Sequence, residues 1–270
     1  MSAAENTTSF SLTRRPLELR RRRVAVRSVE RLTPAYCRVV FGGADLAGFD
    51  SLGADDHLRI FFPPPGAPLP QPDGDELPAG LSSREYTPVS WDGVESLTLD
   101  FVLHGDGVAS RWAEAAEPGD EVFLGGPRGS LVMDGAPAWW LLAGDLTALP
   151  AIRRHLAAVA PGTPVDVVLL SDDPADEQDL ATPGALKLTW VHPADASQPG
   201  DVAPLLAALE SLPVRDGEGF AFIAAEQSVV APARGYLLAR SIDLENAVVK
   251  GYWKRGDIAY HAPHGTAAAS

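Results

Sequence analysis

Arg84, Tyr86 and Thr87 lie in one short run, Arg84-Glu85-Tyr86-Thr87-Pro88, and offer a cation, an aromatic face and a hydroxyl. Such a set suits a planar ring joined to phosphates. On an extended strand the side chains alternate, so Arg84 and Tyr86 project one way and Thr87 the other, its backbone still open to the first face. Downstream, Asp100-Phe101-Val102-Leu103-His104 puts Asp100, Val102 and His104 on one face, where the imidazole can donate to a phosphate or ribose oxygen. Gly105-Asp106-Gly107-Val108-Ala109-Ser110 then leads into a helical run, Arg111 to Ala116. The unpaired first amides of that helix, around Ala109 and Ser110, and the Ser110 hydroxyl make an anion site suited to a pyrophosphate.

Further segments follow at fixed order. Gly126-Pro127-Arg128-Gly129-Ser130 is a tight turn whose glycines allow backbone to approach a ring closely, with Arg128 placed to face an anionic substrate. Gly144-Asp145-Leu146-Thr147-Ala148 follows an apolar strand run, at the carboxyl end where doubly wound sheets bind ligands. It is not the glycine fingerprint of dinucleotide-binding domains. Ala224-Ala225-Glu226 ends another such run. Gly251-Tyr252-Trp253-Lys254-Arg255-Gly256 joins an indole to two cations, and Lys250 and Lys254 are two of only three lysines in the chain. Taken singly, each segment also fits an ordinary cap, turn or solvated strand end; the order carries the signal.

The elements that must position these residues read in two blocks. Short β runs at Val24–Val26, Arg38–Phe41, His57–Phe62, Tyr86–Trp91, Leu97–Leu103 and Glu121–Leu124, with turn signals between them, predict an antiparallel β-barrel or sandwich over residues 20–135. From residue 136 strands alternate with helices: Trp139–Ala143, helix Ala151–Val159, Val165–Leu170, Leu186–Val191, helix Pro204–Leu212, Phe220–Ala224, helix Val229–Ser241 and Val248–Trp253. That alternation predicts an α/β domain with a parallel sheet over residues 136–270. Residues 1–19 lack apolar periodicity and are expected to be a disordered basic tail. Pro63 to Ser82 is a loop with seven prolines, either a lid or a loose insertion.

A chain of 270 residues is long enough for two cores. Its formal charge of −14 argues against nucleic acid as a partner, although eight arginines crowd between Arg14 and Arg31. That basic run reads as a solvated tail. Cys37 is the single cysteine, so neither an intrachain disulfide nor a cysteine metal cluster can form, and His104 has no second ligand beside it. No run approaches the length of a spanning helix, and the start lacks the apolar core of a signal peptide, so a cytoplasmic monomer or weak dimer is expected.

From about Arg23 to about Gly256, the ordered series resembles the siderophore-interacting proteins, flavoprotein reductases related to ferredoxin reductases. The resemblance implies an N-terminal FAD-binding β-barrel followed by an α/β domain that takes NAD(P)H. It places Arg84 near the flavin phosphates, Tyr86 against the ring and Thr87 close to the reactive nitrogen. Asp100, Val102, His104, Ala109 and Ser110 would meet the ribityl and phosphate portions. Asp145, Thr147, Ala148 and Glu226 would lie on the nicotinamide side, with Trp253 near the flavin. Arg128, Lys254 and Arg255 would draw an anionic ferric chelate. The implied activity is NAD(P)H-dependent reduction of a ferric siderophore, with no side chain acting as nucleophile and no resident metal. Two positions depart from the family pattern: Leu146 replaces an acid and Val89 an arginine. They keep open a flavoenzyme recruited to another small molecule, and a carrier of chelate or flavin without turnover is the remaining alternative.

Overall fold

The computed structural model describes residues 9–71, 77–195, 200–257 and 260. In chain order the strands of the first part are β1 (Phe10–Pro16), β2 (Arg21–Thr33), β3 (Tyr36–Gly42), β4 (Leu58–Phe62), β5 (Ser82–Tyr86), β6 (Pro88–Trp91), β7 (Ser96–Val102), β8 (Glu121–Gly125) and β9 (Gly129–Gly135). Helix α1 (Val108–Ala115) stands between β7 and β8. Seven of these strands form one antiparallel sheet in the order β5-β4-β8-β2-β3-β7-β6. The two edge strands, β5 and β6, are consecutive in sequence, separated only by Thr87. Two peptide units span about 7 Å at most, so the sheet must roll until its edges meet there. This half-barrel is filled by alternating residues such as Val24, Val39, Phe41, Ile60, Leu99 and Phe101, and Trp112 of α1 plugs it, its ring centroid 5.2 Å from that of Phe62.

The single strand expected at Tyr86–Trp91 is therefore two. Pro88 has no amide to donate and holds its predecessor extended. The ladder with β4 accordingly ends at Tyr86, and the chain crosses to β7.

The second part is a parallel sheet in the order β12-β11-β10-β13-β14, made of β10 (Trp139–Asp145), β11 (Pro164–Leu170), β12 (Ala185–Val191), β13 (Gly219–Glu226) and β14 (Ala247–Trp253). Alternation divides its side chains between two cores. Trp140, Leu142 and Phe222 pack with α2 (Leu149–Ala158) on one face; Leu141, Ala143 and Ile223 pack with α3 (Ala203–Glu210) and α4 (Val230–Ala239) on the other. The α2 face also takes Phe10, Tyr36, Leu131 and Met133 from the first part, so the two parts share a core.

Phe10 corrects the expected tail. Residues 10–16 are not disordered but form β1, paired antiparallel with β9 from Phe10↔Gly135 to Pro16↔Gly129; residues 1–8 lie outside the described residues. Phe10 reaches the parallel sheet and meets the Phe220 ring edge-on at 6.1 Å. The basic run is likewise built in. Arg22 is buried, donates to the Gly126 carbonyl at 3.1 Å and lies over the Phe49 ring, while Arg23 forks onto Glu121 at 2.9 and 2.7 Å. Of the proline-rich loop, Leu69 is buried and Gln71 accepts from Arg23 at 2.9 Å, whereas Pro72 is outside the described residues. Among the described residues no helix is long and apolar enough to cross a membrane.

Candidate functional site

The site is built around the Thr87 gap. Thr87 is buried and belongs to neither strand, and Arg84 and Tyr86 precede it on β5. Arg84 donates to the Ser83 carbonyl at 2.6 Å and meets no carboxylate among the described residues. A cation left without a counter-ion in a protein of charge −14 suits an anionic ligand. The Tyr86 ring packs on Phe101 at 4.4 Å, and burial pushes its phenol well above the ordinary range.

Facing this strand, α1 starts at Gly107, whose φ of 80° admits glycine far better than any other residue; no side chain caps its first amides. Ala109 and Ser110 are buried in that first turn. The Ser110 hydroxyl accepts the His104 amide at 3.0 Å, which fixes the turn, and the His104 side chain is exposed. Asp100 has another commitment. Its carboxylate takes the Arg38 fork at 2.7 and 2.8 Å and is fully buried, so it ties β7 to β3 rather than meeting a ligand. Val102 packs against the α2-face core.

Across the cleft, β10 and β13 are neighbours where the strand order reverses, and both end in an acid. Such a reversal opens a crevice at the carboxyl ends of the strands. Asp145 caps the short 3-10 turn Leu146–Ala148, accepting from the Thr147 amide at 2.9 Å, the Thr147 hydroxyl and the Trp253 indole at 2.8 Å. Burial raises its pKa, and these hydrogen bonds offset part of the rise. Glu226 caps the next turn in the same way, accepting from the Ser228 amide at 2.6 Å and the Arg255 amide at 3.1 Å. Burial opposes its charge, but those bonds outweigh it and hold the carboxyl below the usual range. A Cβ on Gly144 would stand 2.2 Å from the Ala224 carbonyl oxygen and 2.5 Å from the Ala148 Cβ, so only glycine lets the two strands end this close.

Trp253 is thus oriented by Asp145, and Lys254 and Arg255 follow it, exposed. Arg128 is exposed in the turn between β8 and β9. Leu146, in place of the expected acid, is buried in the α2-face core.

One cluster carried no sequence signal. Asp55, in the loop before β4, accepts hydrogen bonds from both Lys250 and Tyr252 of β14. Arg154 of α2 donates to the Ser51 hydroxyl and carbonyl at 2.9 and 2.7 Å and lies 4.8 Å over the Trp91 ring. Asp56 collects Ser51, Gly53 and Ser130 at 3.0, 3.0 and 2.5 Å. Acids scattered through an aperiodic loop show no pattern until their partners are known, and those of Asp55 lie nearly 200 residues away.

Comparison with known proteins agrees with this geometry. Residues 25–131 match the siderophore-interacting FAD-binding domain, and residues 137–256 match the siderophore-interacting protein family. The NADPH-dependent ferric-chelate reductase of Escherichia coli is 34% identical over 245 residues, covering 87% of this chain and 94% of that protein. The ferric vibriobactin reductase ViuB of Vibrio cholerae is 32% identical over 242 residues, covering 83% and 86%. The crystal structure of a siderophore utilization protein from T. fusca superposes with a TM-score of 0.83 at 32% identity, covering 94% of this chain and 99% of that one.

Proposed function

Since the chain belongs to the siderophore-interacting protein family, we propose that it is an FAD-dependent reductase of ferric siderophores that draws electrons from NAD(P)H. The observation that carries the proposal is the Thr87 gap. There the two edges of a rolled sheet part, with an unpaired cation and an aromatic ring on one side and the reversal point of a parallel sheet on the other.

The residues present fit the cofactor. Arg84 and the uncapped first turn of α1 would supply positive charge and amides for its phosphates, and Tyr86 and Thr87 would be the residues to hold its ring. Bound FAD supplies the redox chemistry, taking hydride from a nicotinamide and yielding single electrons to chelated iron. This chain's residues orient and exclude. The caps at Asp145 and Glu226 fix the carboxyl ends that would receive the nicotinamide, and the Asp145 bond to Trp253 sets the indole beside the same cleft. Arg128, Lys254 and Arg255 present exposed positive charge to a chelate of net negative charge. Reduction releases the metal because ferrous iron binds hard oxygen donors far more weakly than ferric iron.

The test is a spectrum of the purified chain with added FAD, followed by anaerobic oxidation of NADPH and NADH against a ferric siderophore with a chromogenic ferrous trap. Tight FAD binding and nucleotide-dependent ferrous release are expected. A chain that binds no flavin would be a different kind of protein.

A further inference from the structure

A line of polar groups runs inward from solvent to the Thr87 gap, and the proposed function has not used it. Lys250 and Tyr252 are two apart on β14 and project together, and each donates to a different oxygen of Asp55. The Thr87 side chain lies against the same Tyr252 phenol, so the order is Thr87, Tyr252, Asp55, Lys250. Its inner end is buried and its outer end reaches solvent: Thr87 is 7% accessible, while the Lys250 side chain is 36% exposed. Asp55 also lines a partly open cavity of about 350 Å³ with Gly53, Arg154 and His155.

The proposed turnover makes such a line useful. One NAD(P)H brings a hydride, which is two electrons and one proton. Two ferric ions each take one electron, leaving NAD(P)⁺, two ferrous ions and one proton. That proton is set down where hydride arrives, which the family resemblance puts beside Thr87, a residue only 7% accessible. We propose that Tyr252 and Asp55 form its exit. The phenol takes the incoming proton on oxygen as it passes its own to Asp55, and Asp55 releases that proton to water in the cavity. Each group ends as it began. Lys250 donates to the Asp55 oxygen that Tyr252 leaves free, and Tyr252 stays a neutral conduit because burial and then Asp55 disfavour its phenolate. The other charges facing the line are Arg154 and His155 of α2, Asp50 and Asp56 of the loop, and Asp145 of β10. Tyr252 and Asp55 are here positioning and proton-carrying groups. The inference rests on the FAD reading above.

The experiment uses the whole chain with FAD bound, reduced anaerobically and mixed with ferricyanide, a one-electron oxidant that needs no chelate site. Flavin absorbance follows electron loss, and an indicator dye follows proton release. The variants are Tyr252→Phe, Asp55→Asn and Lys250→Met, with FAD affinity measured separately by fluorescence titration. Tyr252→Phe and Asp55→Asn are expected to leave FAD affinity within about threefold of the parent. They should slow proton release and electron loss together by about tenfold or more. The solvent deuterium effect should rise, and added formate or imidazole should restore the rate in Asp55→Asn. Lys250→Met should slow release less. If both main variants release protons at the parent rate with an unchanged deuterium effect, the exit is elsewhere. If neither variant takes up FAD while the parent does, the cluster only braces the fold and the inference is likewise overturned. A parent chain that binds no FAD would instead remove the function on which this inference stands.

Discussion

Arg84→Ala should separate binding from folding, because in this structure Arg84 has little to do with the fold. Its guanidinium donates to one backbone carbonyl, that of Ser83, and pairs with no carboxylate among the described residues. Removing it strands no buried anion, so unfolding of the flavin-free chain should change by no more than about 0.5 kcal/mol. The loss appears when a phosphate is bound. A charge-assisted hydrogen bond is worth about 1.5–3 kcal/mol, which converts to roughly a ten- to hundredfold weaker FAD affinity. Fluorescence titration gives the affinity, and urea unfolding of the flavin-free protein gives the stability. Raising the salt concentration should narrow the affinity gap, since the lost contact is ionic. Unchanged affinity in Arg84→Ala, or a stability loss as large as any affinity loss, would refute the assignment of Arg84 to the phosphates.

Arg38→Ala should do the reverse, costing about 3–5 kcal/mol of stability in urea unfolding because it leaves the Asp100 carboxylate, 0% exposed, without its fork. His155 is buried among Trp140, Phe220 and Phe222, and burial lowers its pKa from 6.5 to about 4. A lowered folded value means that its stabilisation is complete above about pH 6.5 and is lost as pH falls toward 4, by about 3 kcal/mol in all; His155→Phe should flatten that acid limb in pH-dependent unfolding. Reversing Lys254 and Arg255 to Glu should raise the apparent KM for an anionic ferric chelate and weaken its salt dependence, with FAD affinity intact by titration. Leu146→Glu, which restores the acid of the family pattern, should destabilise the chain by several kcal/mol on thermal unfolding, because the residue it replaces is 7% exposed in an apolar core.

Much of the architecture was legible because buried strands declare themselves by period and composition. Trp139–Ala143 and Phe220–Ala224 read as apolar runs since both faces of the parallel sheet are covered. The half-barrel strands read by alternation. What stayed hidden depends on partners far along the chain. β1 has only Phe10 and Leu12 to mark it, and its partner strand lies 113 residues or more away. The arginine run looked like a tail because charge hid an alternation in which Arg22 points inward. At the site, Asp145, Thr147 and Trp253 are brought together, and Ser110 and His104 are joined through an amide. Asp100 is not among them, since a strand pattern cannot show that Arg38 sits opposite it.

The two departures from the family pattern also sit among partners that lie far off in sequence. Val89 lies on β6 at an irregularity in its ladder with β7, two residues before Trp91. Arg154 brings its guanidinium onto the Trp91 ring from α2, held there by Ser51. A cation therefore stands beside β6, supplied by the second part of the chain. Beside Leu146, Asp145 carries a carboxylate that the Trp253 indole and the Thr147 amide hold in place. Leu146 then serves the core. Arg154→Met should accordingly perturb this protein more than the conservative look of a helix-surface substitution suggests, because it removes a cation, a stacking partner for Trp91 and both anchors of the Ser51 loop at once.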